Sequence, residues 1–246
     1  MSTKTILLVA AAVALAFVAG FLFANSVNRA ELNSLRAEVE AGRKTQSADH
    51  SQKGGNELSN DEIQAKIEEA DANPNNFAFQ KNLGLALARY GSMKQDPALV
   101  SQAARLLDRA SAMDSEDLDI IIGLGNAAFD IGYFNKDNSS LERARDYYEK
   151  ALEKKPDDAE VRTDVGMTYF AYSPPNDEKA IAEFKKALAA DPKQTKAIEF
   201  MIQALVRLQN RPEAEKYLAK LREVAPDNED LPGLSAQVQR SFPAPK

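Results

Sequence analysis

The stretch from Tyr147 to Phe170, YYEKALEKKPDDAEVRTDVGMTYF, admits few folds. Ala144, Tyr148 and Ala151 fall on one stripe at helical spacing. Pro156 stops that helix, because proline lacks an N–H and clashes with the preceding turn. After the acidic turn Asp157-Asp158 a second stripe begins with Val165, Gly166 and Tyr169. Small residues at Ala144, Ala151 and Gly166 let two helices approach closely, and Tyr148 and Tyr169 fill the space between them. This is the joint of a helical repeat.

The same punctuation recurs at Pro74, Ser115, Pro156, Pro192 and Pro226, at intervals of 41, 41, 36 and 34 residues. It divides residues 60–226 into a leading helix and about four repeats, 77–115, 118–156, 159–192 and 195–226. Ser59-x-x-Glu62 reads as a capping box opening the leading helix, with Ile63, Ile67 and Ala70 on one face. Residues 227–246 read as a capping helix, with Leu231, Leu234 and Val238 on one stripe, followed by a fraying tail. Gly84 to Ala103 and Gly125 to Ala144 are each 19 apart, against 14 for Gly166 to Ala180 and 12 for Ile202 to Ala214. The spacing therefore places the extra residues GSMKQDP, GYFNKDNS and YSPPND in the turns between the two helices of a unit. Asp96-Pro97 and Ser139-x-x-Glu142 are the expected starts of the second helices. The turn edge is either a second contact surface or a set of tolerated loops.

Thr5 to Ala24 is an uncharged apolar run, and about 20 such residues at 1.5 Å each span the hydrocarbon core of a bilayer. Residues 1–26 read as a transmembrane anchor. Lys4 and Ala14-Leu15-Ala16 would also suit a cleavable signal, but cleavage after Ala16 would leave FVAGFLFA as an apolar new N-terminus. A short N-terminal tail before a large C-terminal part is the layout of a bacterial signal anchor, which places the repeats in the periplasm; the cytoplasmic-facing and secreted arrangements are the alternatives. Ala12, Ala16 and Gly20 follow a small-xxx-small pattern, and Leu32, Leu35 and Val39 in a juxtamembrane helix at 27–40 take coiled-coil spacing, so a homodimer through these segments is a candidate arrangement. Residues 41–59 are polar with little to bury and read as a flexible linker.

The spacing Ala-x3-aromatic, then Ala, Pro, and an apolar-Gly-x2-Tyr group resembles the tetratricopeptide repeat (TPR), a helix pair of about 34 residues. The resemblance implies an all-α fold: a right-handed α-solenoid of helix-turn-helix repeats, preceded here by a single N-terminal transmembrane helix. Gln80, Ile121, Arg162 and Ile198 depart from the family at its first aromatic slot, and Ile202 replaces the usual glycine. The layout is also similar to tetratricopeptide proteins that serve cytochrome c maturation and envelope assembly.

Catalytic chemistry has little to work with. The chain has no cysteine, and its one histidine, His50, lies in the linker, so neither a Ser-His nor a Cys-His arrangement can be built. Gly123-x-Gly125 lacks the third glycine of a nucleotide loop, and no metal set or cofactor motif is found. A formal charge of −6 argues against nucleic acid. The expectation is a non-enzymatic protein whose function lies in a surface.

The family's ligand-facing positions are the second, fifth, ninth, twelfth and thirteenth of each repeat. The resemblance carries them over to Asp119, Ile122, Asn126, Phe129 and Asp130, and to Glu160, Thr163, Met167, Phe170 and Ala171. Lys81 matches one position of the family's carboxylate clamp, while Leu85, Glu160 and Asp164 fill others with the wrong chemistry. The implied groove is acidic and partly apolar, suited to a protein or peptide partner with apolar anchors and basic flanks. Phe129 and Phe170 are either its aromatic floor or ordinary core.

Overall fold

Among the described residues, seven helix starts are set by aspartate or asparagine. The computed structural model describes residues 59–242. Among them are ten helices and no strand. They are α1 (Asn60–Ala72), α2 (Phe77–Lys94), α3 (Pro97–Met113), α4 (Leu118–Asn135), α5 (Asn138–Lys154), α6 (Ala159–Ala171), α7 (Asp177–Ala190), α8 (Thr195–Arg207), α9 (Arg211–Val224) and α10 (Leu231–Ser241). The side chains of Asn76, Asp96, Asp117, Asp137, Asp158, Asn176 and Asn210 each accept from a backbone N–H of the turn that follows, satisfying donors that a helix leaves unpaired.

The chain divides into two compact units, Met1–Glu68 and Glu69–Lys246. The described part of the first is the start of α1. Its capping box forms: Ser59 N donates to Glu62 Oε2 at 2.7 Å and Glu62 N donates to Ser59 Oγ at 3.2 Å. The apolar segment 5–24, the juxtamembrane segment 27–40, most of the linker and the last four residues lie outside the described residues. No helix among the described residues is long and apolar enough to cross a membrane.

The second unit is a tetratricopeptide-like stack of antiparallel pairs, α2 with α3, α4 with α5, α6 with α7 and α8 with α9, closed by α10 against α8 and α9. The first helices of successive pairs touch one another directly, which makes them the inner layer of the stack. Within a pair, glycine sets the spacing. A Cβ at Gly84 would lie 2.8 Å from Leu107, at Gly125 2.6 Å from Tyr148, and at Gly166 2.5 Å from Phe184. Leu107, Tyr148 and Phe184 are themselves almost fully buried, so each pair closes by seating a large side chain on bare backbone. Gln80 is also fully buried; its amide donates to the Ala70 and Asn73 carbonyls at 2.7 and 3.0 Å, satisfying the C-terminal end of α1.

Two sequence expectations change. The first two insertions are helix and not turn: α2 and α4 each run 18 residues, against 13 for α6 and α8, and their connections shrink to Gln95-Asp96 and Lys136-Asp137. Gly91 and Gly132 belong to the added turns, where a Cβ would meet Val100 at 2.9 Å and Leu141 at 2.8 Å. They read as turn residues but act as packing residues. Only YSPPND remains a loop, held by a reciprocal pair in which Asn138 Nδ2 donates to the Ser173 carbonyl at 2.8 Å and Ser173 N donates to Asn138 Oδ1 at 3.0 Å. Secondly, α5 is capped by Asp137 and not by Ser139. The Asp137 carboxylate accepts from the backbone N–H and the hydroxyl of both Ser139 and Ser140, and those bonds pull its pKa down to about 2.

Candidate functional site

The added turns of α2 and α4 lengthen the inner layer toward its C-terminal edge, and there the first helices enclose a cleft of about 450 Å³. Ser92 and Gln95 come from the α2 end, Phe129, Asp130, Tyr133 and Phe134 from α4, Met167, Phe170 and Ala171 from α6, and Phe200 and Gln203 from α8. Five of its eleven lining residues are aromatic. Phe129 and Tyr133, one turn apart on α4, lie near-parallel, with ring centroids 6.1 Å apart and an interplanar angle of 8°. Phe200 meets Phe170 edge-on at 5.0 Å. Arg207 spreads its guanidinium over the Phe170 ring, 3.6 Å from the centroid, while bonding the Phe170 carbonyl and the Asp177 carboxylate.

The polar lining is Ser92, Gln95, Gln203 and a single acid, Asp130. Burial pushes the Asp130 carboxyl above the usual carboxylate range, against the hydrogen bond from Ser92 and the pull of Lys196, and the Asp164 charge adds to the rise. Asp164, nearly buried on α6, is also raised by burial, although Lys196 from α8 bonds it at 2.8 Å. Tyr148 from α5 reaches through the layer to donate to Asn126 Oδ1 at 2.8 Å. No group of His, Cys, Asp and Glu among the described residues is arranged to hold a metal ion.

Of the residues that the family frame singles out, Phe129, Asp130, Met167 and Phe170 line this cleft, together with Ala171. Phe129 and Phe170 are half-buried, each packing on the core from one side while lining the cleft from the other. The remaining positions sit elsewhere. Lys81 joins α2 to the start of α4, its ammonium 2.7 Å from Asp117 and 2.8 Å from Asp119. Burial opposes both Lys81 and Asp117 charges, yet their mutual hydrogen bonds prevail, raising the lysine pKa and lowering that of Asp117. A lysine held between two carboxylates is a poor receptor for a third. Asp119 and Glu160 are exposed at helix starts, about 21 Å along α4 from Tyr133 in the case of Asp119, and neither they nor Ile122 and Asn126 line the cleft. Thr163 is removed from the surface altogether: it is fully buried, with its hydroxyl donating to the Ala159 carbonyl at 2.7 Å.

The family frame misses Ser92, Tyr133 and Phe134 because it stops at the thirteenth position, and these residues lie in added helix beyond it. Carrying the same frame into the fourth repeat would have reached Gln203 at the ninth position and Arg207 at the thirteenth.

Residues 178–238 match the family model described as "Tetratricopeptide repeat". No curated protein matches the sequence. Among solved structures, a thermophilic TPR protein of Thermus thermophilus is similar over 86% of this chain and all of its own, at 20% identity and a TM-score of 0.57. MamA is similar over 66% of this chain and 86% of its own, at 22% identity and a TM-score of 0.52. MamA 41-end from Desulfovibrio magneticus RS-1 is similar over 69% and 86%, at 19% identity and a TM-score of 0.53. At such identities the likeness is one of fold. The described chain is an all-α solenoid of tetratricopeptide type, with residues 178–238 matching the family's own model.

Proposed function

We propose that this protein is a non-enzymatic interaction scaffold whose inner helix layer binds a peptide or protein partner. The observation that carries the reading is the aromatic cleft at the C-terminal ends of α2, α4, α6 and α8, where Tyr133 leaves 61% of its surface exposed. Large aromatic surface presented in a concavity is what partner recognition uses and what a solitary folded chain tends to bury. Tyr133→Ala tests it: an exposed ring contributes little to folding, so the variant should melt like the wild type and lose partner capture. Unchanged capture would place the partner elsewhere.

In the same reading residues 5–24 tether the scaffold to a bacterial inner membrane with the repeats in the periplasm, and the anchor and residues 27–40 pair two copies. Assembly of cytochrome c or of envelope complexes would suit such an adaptor. An alkaline phosphatase fused at the C-terminus should be active; an inactive fusion beside an active cytoplasmic reporter would reverse the orientation. Ala14-Leu15-Ala16 favours a second reading, a soluble periplasmic binder released by cleavage. N-terminal sequencing of the mature protein separates the two.

A further inference from the structure

We infer that the cleft receives an arginine side chain carried between apolar residues of the partner peptide, with Asp130 as its counter-ion and the Phe129–Tyr133 pair as its stacking surface. The inference rests on the reading of the cleft as the partner site and adds what that site selects.

Three features of the cleft support it. Asp130 is half-buried, and among the described residues it enters no ion pair. Ser92 and Lys196 both hold its pKa down, and Lys196, which acts on it through space, is bonded to Asp164. A carboxylate drawn out of water without a bonded cation gains more from an incoming one than a solvated carboxylate does. Phe129 and Tyr133 flank it on the same helix, and Tyr133 is largely exposed. Among the described residues no Lys or Arg lies over the ring of Phe129, Tyr133 or Phe134.

The chain itself shows which cation suits such a place. Arg207 lies on Phe170 and bonds Asp177 on the neighbouring side of the cleft, and Arg145 lies on Tyr169 at 3.8 Å while its Nε donates to Thr168 Oγ1. Both are guanidinium planes on aromatic faces with an oxygen acceptor at the edge. Asp130 beside Phe129 and Tyr133 supplies the same acceptor and the same faces. A guanidinium is planar, more weakly hydrated than an ammonium and able to use several N–H groups at once, so arginine is selected over lysine. Gln95 and Gln203 offer further amide acceptors at the rim. The net charge of −6 adds long-range attraction for a cationic segment.

The test uses the full-length chain in mild detergent and four pooled heptapeptide libraries with randomised apolar flanks, their central residue fixed as arginine, lysine, citrulline or glutamate. Citrulline keeps the shape of arginine without its charge. The expected result is retention of the arginine pool roughly tenfold above the citrulline pool, as one charged hydrogen-bonded contact would give. The lysine pool should fall between them and the glutamate pool lowest. Asp130→Asn should bring the arginine and citrulline pools level, and Tyr133→Ala, at an exposed position, should narrow the difference without altering the melting curve. Equal retention of arginine and citrulline pools by the wild type, both lost in Tyr133→Ala, overturns the inference while leaving the cleft as the partner site. Retention of no pool, or retention indifferent to Tyr133, overturns both.

Discussion

Replacing Gly166 by alanine isolates the contact that sets helix spacing in this stack. The added Cβ would stand 2.5 Å from Phe184 Cε1, 2.6 Å from Cδ1 and 3.2 Å from Cζ, where ordinary contact begins at 3.4 Å. All three atoms belong to one edge of one ring, and Phe184 is fully buried with Phe200 beside it at 6.2 Å. Ring and backbone must therefore shift by nearly an ångström between them inside a closed core. Overpacking of this kind costs about 1–3 kcal/mol, and the gain in helix propensity from glycine to alanine returns about 1 kcal/mol. A contact as short as 2.5 Å belongs in the upper part of that range, about 2–3 kcal/mol, so a net loss of about 1–2 kcal/mol follows, or a melting temperature lower by roughly 2–8 °C for a domain of this size. Gly233 is the internal control: it lies within α10 with nothing within 4 Å of its would-be Cβ, so Gly233→Ala should gain up to about 1 kcal/mol. Urea and thermal unfolding followed by circular dichroism read both. A Gly166→Ala protein as stable as the wild type would refute the seating of Phe184 on backbone as the spacing device.

Other substitutions probe the added turns and the caps. Gln95 and Lys136 end α2 and α4 in the left-handed region at φ 53° and 54°, where glycine carries no Cβ penalty, so Gln95→Gly and Lys136→Gly should each stabilise by about 0.5–1 kcal/mol in the same melts. Gln80→Leu removes both amide donors from the Ala70 and Asn73 carbonyls and should cost about 1–3 kcal/mol by urea titration. Asp137→Ala should lower the melting temperature at pH 7. Because the native carboxyl titrates at about 2, below its ordinary 3.8, its contribution is present above the ordinary value and lost as pH falls through the native one. The gap between variant and wild type should therefore close between pH 3.8 and about 2.

The stripes that build the joints were legible from local spacing, Ala144, Tyr148 and Ala151 on one helix and Val165, Gly166 and Tyr169 on the next, but their partners were not: Tyr148 seats on Gly125 of its own pair, and Gly166 receives Phe184. The added turns were misread because Gly91 and Gly132 carry two meanings, turn and close packing, and only the facing residues Val100 and Leu141 decide between them. The same ambiguity governs α5, where Asp137 and Ser139 both suit a cap and the carboxylate, accepting from both serines, prevails. Five of the eleven cleft residues were reachable by counting from each helix start: Phe129, Asp130, Met167, Phe170 and Ala171. Tyr133 and Phe134 were not, since a count tuned to shorter helices ends before the turn that carries them. Thr163 had the right register but bonds back to its own helix, and register does not reveal that.

Site-specific photo-crosslinking tests the central claim most directly. Benzoylphenylalanine placed at Tyr133, in the cleft, and at Glu149, exposed on the outer helix α5, samples the two faces of one stack in intact cells. A partner adduct from position 133, suppressed by the arginine-centred peptides and absent from position 149, is the expected result. An adduct from position 149 with none from position 133 would contradict the account.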